Sequence, residues 1–145
     1  MSKPKSIQLF DRLFLGAMVV GTLNYAFRWN DTLDAFTRQP EVAKLGWGAG
    51  YMLFIFVGGM LVNLAIWYFI SQRASKVAKW IQAISYVIGA ISLVVNYANP
   101  VSPKGLALGV TLLIFAAYGY ATYLLFRPDS VEWFDRKRVD PDTFR

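Results

Sequence analysis

The sequence predicts an all-α fold: an integral membrane four-helix antiparallel bundle, N-in/C-in, with short interfacial helices in the outer loop and the C-terminal tail. Three observations carry this. Four stretches are long and apolar enough to cross a bilayer, the Lys and Arg residues flank them asymmetrically, and two of the three connections are short. The chain has 145 residues, 56% of them apolar, and a mean hydropathy of +0.38. An ordinary soluble domain is less apolar than this, and the length suits a single transmembrane domain.

The hydrocarbon layer is about 30 Å thick, so a crossing helix needs about 20 mostly apolar residues. Span one covers residues 13–29 and extends back through Ile7–Phe10, with Asp11 and Arg12 reaching for the headgroups. Lys3 and Lys5 precede it as in a signal peptide, but Asp11–Arg12 interrupts the approach and no small-residue cleavage pattern follows, so the segment reads as a retained helix. Spans two, three and four cover residues 47–70, 77–98 and 106–126, and a tail follows over 127–145.

The outer loop between spans one and two holds "NDTLDAF", where Asp31 can cap a short helix and Leu33 and Phe36 share a side. Pro40 breaks that helix, and "PEVAKLGW" supplies a second turn. The turn "SQRASK" between spans two and three is tight. Pro100 and Pro103 stop span three in "YANPVSPKG". Such short links make spans two, three and four successive antiparallel neighbours. In the tail, Asp129 and Glu132 form an acidic version of a capping box, and Pro141 ends the helix. Trp133 and Phe134 of that helix are expected in the headgroup layer.

Orientation follows from the flanking cations. Eleven Lys and Arg residues flank the side that carries both termini and the loop at residues 71–76, against four on the other side. This places both termini in the cytoplasm. Of these cations, Arg73, Lys76, Lys79, Arg136, Lys137 and Arg138 are expected to contact anionic headgroups. The tryptophans fit the same frame: Trp29 and Trp47 at the outer level, Trp67 and Trp80 at the inner.

Helices in lipid associate through small residues and buried hydrogen bonds, since leucine and lipid tails are equally apolar. Span three carries such a row, Ala78, Gln82, Ser85, Gly89, Ser92 and Asn96, at spacings that keep one face. Its opposite face holds Ile84, Val87, Ile91 and Val94, an aliphatic surface fit for lipid or for a partner. Asn24 of span one and Asn63 of span two are further packing candidates, and Asn24 is expected to pair with Asn96 at the outer side. Tyr118 in span four lies at the depth of Gln82 and Ser85, which are expected to take its hydroxyl.

The chain has no Cys and no His, which removes thiolate chemistry, Cys/His zinc sites and histidine-ligated haem. No acid or base sits in the middle of a span, where one would mark an ion or proton path. No Gly-rich phosphate loop is present. The net charge of +6 surrounds apolar runs and does not line one helix face, so nucleic acid is not indicated. The expectation is a non-enzymatic protein without metal or cofactor. Its partners are the lipid bilayer, its anionic headgroups, and either a membrane-protein partner or a second copy in a homo-oligomer. The alternative is a channel or carrier for a neutral or weakly polar solute, lined by Gln82, Ser85, Ser92, Asn96 and Tyr118.

The segment "KPKSIQLFDRLFLGAMVVGTLNYAFRW" resembles the N-terminal part of small uncharacterised bacterial four-helix inner-membrane proteins. Pro4, Ser6, Ile7, Phe10, Asp11, Arg12, Leu15, Gly16 and Asn24 carry the resemblance. It covers about a fifth of the chain and implies a bacterial inner membrane; it transfers no functional residue.

Overall fold

The computed structural model describes residues 3–99 and 101–136. These residues are all-helical, with seven helices: α1 (Lys5–Phe27), α2 (Trp29–Thr37), α3 (Pro40–Leu45), α4 (Ala49–Ser71), α5 (Lys76–Val95), α6 (Leu106–Leu124) and α7 (Pro128–Arg136). Four of them, α1, α4, α5 and α6, are long and apolar enough to cross a membrane.

The cross-helix pairs give the register. Phe14 meets Tyr118, and Asn24 meets Thr111, so α1 and α6 run antiparallel. Asp11 meets Trp67, and Tyr25 stacks on Phe56, which sets α1 antiparallel to α4. Gln82 meets Thr122 and Tyr86 stacks on Phe115, which does the same for α5 and α6. Helices α4 and α5 are joined by the short turn and also pack together, closing the ring α1–α4–α5–α6. The α1–α6 pair is the most extensive. An even number of crossings brings both ends of the described chain to one end of the bundle, called the terminal end below.

Helix limits follow local chemistry. Helix α1 begins at Lys5, two residues before the expected extension at Ile7, so Asp11 and Arg12 lie within it. Helix α2 starts at Trp29 after a bend at Arg28, which puts Asp31 in the first turn and not at the cap. Pro40 opens α3, at the position where its missing N–H costs nothing, and Gly46 closes it in the left-handed region at φ 65°. Ser75 caps α5: its hydroxyl accepts from the Ala78 N–H at 3.2 Å. Ala74 just before it has φ 48°, a conformation that costs a residue with a Cβ roughly 1–2 kcal/mol. Its methyl is buried in the core, which a glycine would not supply. Helix α5 ends at Val95, before the expected Ala98, because the Asn96 amide turns back to the Ser92 carbonyl and hydroxyl.

Burial is uneven along the bundle. The core cluster of Ile7, Phe10, Phe14, Ile70, Ala74, Ala78, Ala121, Leu125 and Phe134 lies wholly at the terminal end. At the other end Val94, Val95 and Leu106 are exposed, and α2–α3 are held by the stacked rings of Phe36, Tyr51 and Trp47. The structure corrects the tail: Phe134 is only 3% exposed and belongs to the core, with Trp133 packed beside it, so α7 plugs the bundle end and does not project these rings outward.

Candidate functional site at the terminal end

The first turn of α1 leaves N–H groups without intrahelical acceptors. Asp129, in the first turn of α7, supplies one: its carboxylate accepts from the Ser6 N–H at 3.2 Å and the Ser6 hydroxyl at 2.9 Å. Burial pushes this carboxyl up. The two Ser6 hydrogen bonds, the Arg127 charge and the Ser130 N–H outweigh that and hold it below the ordinary carboxylate range. Ser130 is fully buried and donates to the Leu124 carbonyl at 2.7 Å, fixing the corner between α6 and α7.

Asp11 does not reach outward as expected. It accepts from the Trp67 indole at 2.9 Å and from the Lys3 ammonium at 3.1 Å, and Lys3 also donates to Ser71 at 2.6 Å. This chain ties the start of α1 to the end of α4, while Arg12 remains exposed. Trp67 therefore satisfies its N–H inside the protein.

The cations of the α4–α5 turn take three different roles. The Arg73 guanidinium lies 5.9 Å from the Tyr68 ring. Lys76 forms an ion pair with Asp135 of α7. Lys79, expected at the headgroups, is 9% exposed because α7 folds beneath it. Its ammonium stands 4.5 Å from the Phe126 ring, 5.3 Å from Phe134 and 5.9 Å from Trp80. Lys137 and Arg138 lie outside the described residues, as does the Arg136 side chain.

The expected seam of α5 divides. Ala78 and Gln82 are buried, and Gln82 donates to Thr122 at 3.4 Å. Gly89 is half-buried against Phe115. Ser85, Ser92 and Asn96 are exposed on one flank of the helix. The inward line instead runs through Tyr86, Gly89 and Leu93, about 100° round from the expected one at the Ser85 level. Tyr86 fits there because α6 presents Gly119: a Cβ at that glycine would stand 2.4 Å from the Tyr86 hydroxyl oxygen. Asn24 pairs with Thr111 at 3.4 Å and not with Asn96. Asn63 turns back to the Gly59 carbonyl at 2.8 Å.

Tyr118 meets the edge of Phe14, centroids 5.0 Å apart, and does not pair with Gln82. It and Asn63 line an open groove of about 290 Å³ between α1, α4 and α6, with Met18, Thr22, Phe56 and Met60. The groove forms where Gly59 of α4, which lines it, meets no neighbour within 4 Å. The residues expected to line a solute path are thus not brought to one passage: Gln82 points inward, Tyr118 borders the groove, and Ser85, Ser92 and Asn96 lie outside. Reasoning from the sequence missed the roles of Ser6 and Lys3 and the stacking of Tyr86 on Phe115; only the Ser75-x-x-Ala78 cap had a local signal.

No protein-family model, no curated protein and no solved structure matches the chain.

Proposed function

We propose that the chain is a four-span protein of the bacterial inner membrane, with both termini cytoplasmic, acting as a non-enzymatic accessory subunit or homo-oligomer. The four long apolar helices support insertion, and the excess of cations around the terminal end supports the orientation. The observation that carries the association is the outward flank of α5. Ser85, Ser92 and Asn96 are exposed there, although the bundle has inward positions for polar groups. In a bilayer small and polar residues on a helix exterior are the means by which a second helix docks. A helix packed on that flank would shield them from lipid.

Gentle extraction into mild detergent followed by native mass spectrometry tests this. A defined oligomer, or a co-purifying membrane protein, is expected; a single monomeric species contradicts the proposal.

A further inference from the structure

We infer that Lys79 is the centre of a site for the phosphate of an anionic phospholipid. Helix α5 opens with two lysines in its first turn and a half, and its first turn holds no acidic residue. Like charges there oppose the positive end of the helix dipole. Lys76 is neutralised by Asp135, but among the described residues the ion pairs are Lys3–Asp11, Arg38–Asp34 and Lys76–Asp135, and Lys79 enters none. Its ammonium also donates no hydrogen bond there, while nine-tenths of the residue is buried.

Among the described residues the carboxylate that acts on Lys79 is Asp135, which is already paired with Lys76, and a shared counter-ion with three aromatic faces compensates a buried charge only in part. The ammonium lies among rings that reach the surface. Its flanking rings Trp80 and Phe126 are themselves exposed, at 57% and 38%, as an acyl chain beside a bound headgroup would need. The inference rests on the membrane reading above, which puts this end of α5 at the headgroup layer.

The test uses the full-length protein in mild detergent, titrated with phosphatidylglycerol or phosphatidylcholine of the same acyl chains and read by native mass spectrometry. Wild type should prefer phosphatidylglycerol by about fivefold or more, the scale set by one basic residue near a headgroup. Lys79→Met should abolish that preference, and Lys79→Arg should keep it. Millimolar inorganic phosphate should not displace the lipid; displacement would assign the site to the free ion and overturn the lipid reading. Unchanged preference in Lys79→Met overturns the proposal. If that variant does not fold, equal affinity of wild type for the two lipids does so alone. Release of the protein from membranes by alkaline carbonate would instead sink the membrane reading itself.

Discussion

Asp129 of α7 caps the N-terminus of α1: one carboxylate oxygen takes the Ser6 hydroxyl and the other the Ser6 N–H. Residues 123 positions apart thereby close the bundle end. The carboxylate sits in the first turn of α7 while facing the first turn of α1, so two helix dipoles favour its charge.

Replacing Asp129 with Ala should loosen α7 without unfolding the four long helices. A charge-assisted bond with partial exposure suggests a loss of about 1–2 kcal/mol. Limited proteolysis should cut near Arg127 faster in the variant, and unchanged cutting would show that Phe134 alone holds the helix.

The same pair sets a pH dependence. Because the folded carboxyl lies below its ordinary value of 3.8, its contribution is complete above that value. It is lost as pH falls through the folded value, when the unfolded state binds the proton first. Thermal unfolding in detergent should therefore become less stable on acidification below about pH 4. Asp129→Asn should flatten that part of the curve, and an identical acid slope in the variant would assign it to other carboxylates.

Gly119 and Gly58 should respond oppositely to alanine. A Cβ at Gly119 meets the Tyr86 phenol at 2.4 and 2.8 Å, and Tyr86 is stacked on Phe115 with centroids 4.5 Å apart. Moving the ring should cost about 1–3 kcal/mol. At Gly58 a Cβ meets nothing, and alanine in a helix interior should be neutral or stabilise by up to about 1 kcal/mol. Melting temperatures of the two variants check this; equal losses would contradict the α5–α6 packing.

Trp67→Phe keeps an aromatic body but removes the indole donor to Asp11. The lost bond to a charged acceptor should destabilise by about 1.5–3 kcal/mol. A double cycle with Lys3→Met should show coupling, since both groups bind Asp11. Additive effects would dissolve the proposed chain from Lys3 to Trp67.

The four long helices, the two loop helices and α7 were legible from apolar run length and proline positions. The seam of α5 was not, because rows spaced by three and four residues exist in adjacent registers of the same helix. Ser85 belonged to the more polar row, but Tyr86 packs inward where Gly119 opens room for it. Lys79 and Asp11 were assigned to the headgroups by their place at span edges. What packs against them, Phe134 and Trp67, lies far away in sequence, and no local pattern announces it.

The most direct measurement of the assembly claim is a single-cysteine cross-linking scan along α5 in native membranes. The chain has no cysteine, so each introduced thiol reports alone. Cysteines at Ser85, Ser92 and Asn96 should form cross-linked dimers, or a larger product with a partner, while cysteines at Val87 and Val94 on the opposite flank should not. Equal cross-linking at all five positions, or none at any, would contradict the account.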